Sequence, residues 1–160
     1  PLRSEGRREE LYERVADGTV DMIATDHAPH TADEKAVGLW DAPSGVPGVE
    51  TMLPLLLAEV RDGGLTLERV RDLVAATPAE RFGLADKGRV EVGYDADLTL
   101  VDLDAVEPIR ADALHTKCDW TPFEGHEAVF PELTVVGGSL VYDGRAGDRF
   151  TAGLGRNVRE

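Results

Sequence analysis

The hydrophobic period of this chain changes once, near Gly88, and that change limits the possible folds more than any other feature. Before it, apolar residues recur at helical spacing; after it they alternate as in half-buried strands. Ser4 is placed to cap a helix running to about Asp17, with Leu11 and Val15 four apart and Gly18 at the stop. Residues 20–25 read as a strand whose centre (Met22, Ile23, Ala24) is apolar on both faces, the pattern of a strand covered on both sides. A loop rich in proline and glycine (42–48) precedes a helix over 49–62, with Pro54 near its first turn. Thr66 opens a further helix bearing Leu67, Val70 and Val74. Thr77, Pro78 and Glu80 then spell a capping box that begins another.

Beyond Gly88, Val90 and Val92 and then Ala96, Leu98 and Leu100 face one way, with Gly93 to Asp95 as a turn between them. The run TVVGGSLVY (134–142) predicts a hairpin, because two glycines accept the positive φ angles of a tight primed turn. Residues 106–131 form a long irregular stretch, and no internal repeat is present. The expected organisation is an α/β unit over 1–86 followed by a small β unit over 87–160.

At 160 residues and 42% hydrophobic content the chain can build a real core. No apolar run approaches membrane-spanning length and no signal peptide is recognisable, so the expected setting is the cytoplasm, without membrane contact. Cys118 is the single cysteine, which excludes an intrachain disulfide. The first residue is Pro1, running directly into a helical pattern, and suggests a chain cut from something longer. The formal charge of −14 disfavours nucleic acid as a partner. Three lysines against fourteen arginines accompany that acidity. A solvated acidic surface accounts for it; adaptation to high salt, where screening relieves self-repulsion, is the sharper hypothesis. Unfolding at low salt with recovery in molar salt is its expected signature, and stability indifferent to salt would exclude it.

The chemistry-bearing stretch is IATDHAPH, residues 23–30. Asp26 falls immediately past the C-terminal end of the expected strand, the edge where α/β proteins assemble their sites. A carboxylate there can ligate a metal and take a proton from water that the cation acidifies. His30 is open between metal binding, anion binding and acid–base work. Asp26 can equally be a turn residue, and His27 reads as a supporting histidine whose ring is satisfied by backbone groups. His115 and His126 have no partner at metal-ligand spacing and read as surface or packing residues, and Cys118 as buried or idle. Ser44 and Gly45 in APSGVPG do not form a serine-nucleophile elbow; the glycines there suit a loop whose backbone approaches a ligand closely.

The segment from PLRSEGRREELYERV through TDHAPH closely resembles the region around the last barrel strand of the dihydroorotases, in the amidohydrolase superfamily of metal-dependent (β/α)8 barrels. The resemblance continues through APSGVPGVET, TPAERFGL, KGRVEVGYDADLTLVDLD and the stretch from WTPFEG to VVGGSLVYDG, and so covers essentially the whole chain. His30 favours dihydroorotases over allantoinase-like members, which tend to carry cysteine there, and hydantoinase-like members, which tend to carry phenylalanine.

The resemblance implies an α/β fold, the C-terminal portion of a TIM-type barrel followed by a small β-sandwich domain. It implies reversible, zinc-dependent hydrolysis of dihydroorotate to N-carbamoyl-aspartate in pyrimidine synthesis. Asp26 would be the catalytic residue and a zinc ligand, His30 would hold the substrate carboxylate, and Ser44 and Gly45 would line the substrate. Many members carry a larger aromatic residue where this chain has Ser44. The other metal ligands would lie upstream of Pro1, so the missing N-terminal part of the barrel is an expected partner, and this chain alone is expected to be inactive. A homo-oligomer or aspartate transcarbamoylase are further partners the resemblance suggests. Two alternatives stand beside it, a non-catalytic scaffold of dihydroorotase type and another cyclic amidohydrolase of allantoinase or hydantoinase type.

Overall fold

A computed structural model of the chain describes residues 3–147 and 149–158; Pro1, the residue bearing on a cut chain, lies outside them. The helical half holds α1 (Glu5–Ala16), a single turn α2 (Ala32–Lys35), α3 (Met52–Arg61), α4 (Leu67–Arg71) and α5 (Thr77–Phe82). Ser4 occupies the N-cap of α1 in extended geometry, but its hydroxyl makes no cap bond. No residue of α1 is buried, and Leu11, on its expected apolar stripe, is exposed. The Tyr12 hydroxyl donates to Glu59 at 2.6 Å and ties α1 to α3. Its phenol is pushed up to about 12, by burial first and by the Glu59 carboxylate second. The sequence reading did not anticipate α2, whose capping box pairs Thr31 with Glu34.

The capping box expected at Thr77 is not formed. Ala76 and Thr77 are both helical, so α4 runs through a π turn (Asp72–Ala76) into α5 without a break. Pro78 supplies the reason, since it lacks an N–H and its ring crowds the carbonyl one turn back. A wide turn relieves that crowding. The Thr77 N–H bonds Asp72 rather than Leu73, and Pro78 has no N–H to give, so the Leu73 carbonyl loses its helical donors. The N–H of Ile23 takes their place at 3.2 Å.

That contact bears on a second correction. Residues 20–25 belong to no strand: Val20 lies in a bend and residues 21–25 are irregular. A ladder needs a neighbouring strand, and among the described residues none lies beside them. They lie instead along α4 and α5. The Arg69 guanidinium donates to the carbonyls of Val15 and Val20, and Arg81 pairs with Asp21 at 3.0 Å. Burial on both faces is also absent, for Met22 and Ala24 are exposed.

The β half is one antiparallel sheet in the order β1 (Leu98–Pro108), β2 (Glu127–Val136), β3 (Ser139–Asp143), β4 (Arg149–Phe150). The expected hairpin is present: Val136 faces Ser139 across Gly137 and Gly138, whose φ angles are 55° and 79°. The irregular stretch is shorter than 106–131, because Val106, Glu107 and Pro108 pair with Val129, Ala128 and Glu127. Among the described residues Val90 and Val92 belong to no strand, and they are 88% and 102% exposed. Helix α3 packs on β2 and β1. Leu57, Ala58, Leu65, Val70, Leu73 and Ala79 fill the helical side of the core, and Ile109, Ala128 and Val129 the sheet side. Leu98, Leu100 and Leu140 of the sheet stay at least 40% exposed, as in a layer that lacks a cover.

Lys87, between α5 and β1, gathers two carboxylates that precede the sheet. It bonds Asp95 at 2.9 Å and also Asp97, while Asp97 accepts the Gly137 N–H and Arg156 reaches Asp95. The lysine holds both carboxyls below the usual range, chiefly through these hydrogen bonds, and its own ammonium is raised in turn.

Candidate active site

Two loops meet where IATDHAPH ends. His27 and Val46 form a parallel bridge, and the Ala28 N–H donates to the Val46 carbonyl at 3.0 Å. This pairing sets the loop of Asp26 and His30 against the loop of Ser44 and Gly45. Gly45 has φ +94°, and a Cβ added to it would lie 2.4 Å from the Cβ of Ala28. The close approach expected of this glycine is therefore to the chain's own second loop.

His27 has the supporting place that the sequence suggests. Its Nδ1 accepts the backbone N–H groups of Gly48 and Val49 at 3.0 and 3.2 Å. Backbone amides can only donate, so the ring carries no proton on Nδ1.

Asp26 is exposed and adopts φ 47°, a left-handed conformation unusual outside glycine. Among the described residues no hydrogen bond or ion pair engages its carboxylate. A non-glycine residue held in this region beside a loop junction is the kind of stored strain that clusters at functional sites. The carboxylate suits one position in a metal's ligand set, with its lone pairs free. No group of three or more potential ligands exists among the described residues, so these residues alone do not compose a metal centre.

His30 is half-buried. Its Nδ1 lies 3.6 Å from the Glu34 carboxylate, and that carboxyl is held below its ordinary range, first by the Thr31 N–H and then by the charge of Lys117. The carbonyl of His30 accepts the Trp120 indole N–H at 2.8 Å and the Cys118 thiol at 3.2 Å. Cys118 is buried, as expected, but it is not idle.

The segment between β1 and β2 thus grips both loops, a role the sequence reading missed. The His115 N–H and Nδ1 engage the two oxygens of Glu50 at 2.8 and 2.6 Å, while its ring meets Phe150 edge to face. The Ala32 N–H reaches Asp119, and Lys117 reaches Glu34. The concentration of polar and aromatic side chains in HTKCDWT (115–121), within a stretch of little regular structure, was the available signal. His126 conforms to the packing reading, against Phe123.

Two grooves, of about 890 and 980 Å³, lie between the helices and the sheet, and neither is lined by Asp26, His30, Ser44 or Gly45. Ser44 and Gly45 are exposed. The candidate site is one wall, open on its far side.

A family model described as the Amidohydrolase family matches residues 2–141. The dihydroorotase of Halobacterium salinarum is 59% identical over the whole chain, which spans 37% of that protein. The dihydroorotase of Methanosarcina mazei is 50% identical over 89% of the chain and 32% of its own length. Among solved structures, a D-hydantoinase (dihydropyrimidinase) from Thermus sp. superposes with a TM-score of 0.88 at 29% identity, covering 96% of this chain and 34% of that one. An L-hydantoinase (dihydropyrimidinase) from Arthrobacter aurescens gives 0.83 at 34% identity, over 89% and 33%. The chain spans about a third of the length of the relatives it matches.

Proposed function

This chain belongs to the amidohydrolase family, and from that premise we propose that it is the C-terminal part of a dihydroorotase, the remaining barrel strands and metal ligands lying in the rest of the protein. The observation that carries this reading is the identity to a dihydroorotase along the whole of the chain. The carboxylate of Asp26, without a partner among the described residues and presented from a left-handed backbone beside a loop anchored by His27, supports it from the geometry.

The reaction is hydrolysis of the ring amide of dihydroorotate. Water oxygen bonds to the amide carbonyl carbon, the carbon–nitrogen bond breaks, and N-carbamoyl-aspartate is released. Asp26 takes the proton from the attacking water and delivers it to the departing nitrogen, which balances the step without an external acid. Its exposure suits a group that must accept and return a proton. Zinc, when bound, polarises the carbonyl and acidifies water, and Asp26 is this chain's contribution to holding it. His30 binds the substrate carboxylate, and the backbone at Ser44 and Gly45 lines the opposite side. On this reading the division falls at 86/87, and the uncovered leucines of the sheet await a second layer that completes a β-sandwich. Further copies of the chain or an aspartate transcarbamoylase are the proposed protein partners, and the cytoplasm the proposed location.

The structural neighbours favour one competitor, a hydantoinase-type activity. Assaying the full-length protein with dihydroorotate, hydantoin and allantoin separates the two. Dihydroorotate should be turned over with by far the highest kcat/KM; a preference for hydantoin, or no turnover of any of the three, would overturn the reading.

A further inference from the structure

We propose that Trp120 is a positioning residue for substrate binding, fixing His30 relative to the loop of Ser44 and Gly45; this rests on the reading of His30 as the contact to the substrate carboxylate. The indole N–H donates to the His30 carbonyl at 2.8 Å, and the Cys118 thiol donates to the same oxygen. Two donors on one carbonyl fix the orientation of that peptide plane, and with it the point from which the imidazole projects. The same indole lies under the Lys35 ammonium, 5.6 Å from the ring centroid. That ammonium donates at 2.8 Å to the carbonyl of Pro43, the residue before Ser44. One ring therefore connects the residue proposed to bind the carboxylate with the loop proposed to line the substrate. The ring is well founded, because Cys118 and Thr121 on either side of it are buried.

Packing alone would account for a large side chain at this place, and a partially buried indole ordinarily finds some acceptor. The distinguishing prediction concerns coupling to His30. In the full-length enzyme Trp120→Phe keeps an aromatic face for Lys35 and removes the N–H together with part of the ring, whose packing share the stability measurements below separate. Losing one hydrogen bond of ordinary strength should raise KM for dihydroorotate about fivefold while kcat changes by less than about twofold. His30→Ala should raise KM further. Trp120→Phe placed in the His30→Ala background should then add nothing, because a residue that acts through His30 has no effect once the imidazole is gone.

An unchanged KM in Trp120→Phe, or an equal rise with and without His30, would overturn the positioning role. An unchanged KM in His30→Ala would overturn the reading of His30 itself, and this inference with it. Urea unfolding of each variant guards against a trivial cause: a KM shift that tracks lost stability, and that Trp120→Leu reproduces only in proportion to that loss, counts as packing.

Discussion

The Nδ1 of His27 accepts the backbone N–H of Gly48 across 3.0 Å, and the neighbouring N–H of Val49 shares the same acceptor. One imidazole thereby satisfies two amides of the loop that carries Ser44 and Gly45. His27→Ala should cost about 1–3 kcal/mol, since the half-buried amide of Gly48 loses its partner. His27→Asn retains an acceptor oxygen and should recover part of that. Urea titration of both variants checks the order; equal losses would mean that the ring contributes bulk alone.

Gly45 is held by two constraints at once, a φ of +94° and a Cβ position 2.4 Å from the Cβ of Ala28. Gly45→Ala should destabilise by about 2–4 kcal/mol, combining backbone strain with overpacking. The double variant Gly45→Ala with Ala28→Gly removes the clash and leaves the strain. Thermal melts should place it between the single variant and the native protein, and no recovery would mean that the two loops do not approach as described.

At Asp26 stability and activity should separate. Replacing it by glycine relieves a positive φ and should leave the fold as stable or more stable by up to about 1 kcal/mol, while abolishing turnover in the full-length enzyme. Asp26→Asn should likewise fold and fail to turn over. Retained activity in either variant would remove Asp26 from the proton-transfer role.

Acid sensitivity should concentrate at Lys87. Asp95 and Asp97 have carboxyls lowered from the ordinary 3.8, chiefly by hydrogen bonds from Lys87. A depressed folded value means stability that is present above 3.8 and lost as pH falls through the lower folded values. The Lys87 ammonium is raised from 10.5, so its own share is present below that pH and fades as pH rises past it. Lys87→Met should lower stability at neutral pH and flatten the acid limb of the pH–stability curve. Denaturant midpoints measured across that limb decide it, and parallel curves for variant and native protein would count against the cluster.

What was legible in the sequence was local. The hairpin at Gly137 and Gly138 was readable because the two glycines dictate the turn by themselves. The supporting place of His27 was foreseeable from its position directly after Asp26. Strand character at residues 20–25 and at Val90 and Val92 was written in the pattern but not realised, because pairing is a property of two strands and the described residues supply one. Thr77 failed as a cap for a different reason: a π turn accommodates Pro78 within a continuous helix, and nothing in the spacing of Thr77, Pro78 and Glu80 distinguishes a helix start from a widened turn. The grip of His115 on Glu50 and of Trp120 on His30 crosses 65 and 90 residues of sequence, where single-sequence periodicity carries no information.

The π turn has a consequence for how this part of the molecule tolerates change in length. Leu73 presents its carbonyl to Ile23 because the wide turn, with Pro78, leaves it without a helical donor. Deleting one residue from Asp72–Ala76 would rewind the turn towards ordinary pitch and swing α5 by about 100° relative to α4. Arg81, now paired with Asp21, would leave that side of the helix while Arg69 stayed in place. The segment ending at Asp26 would then be held at its start and released at its middle. The count of residues in one helical turn thus acts as the gauge for where the Asp26 carboxylate stands.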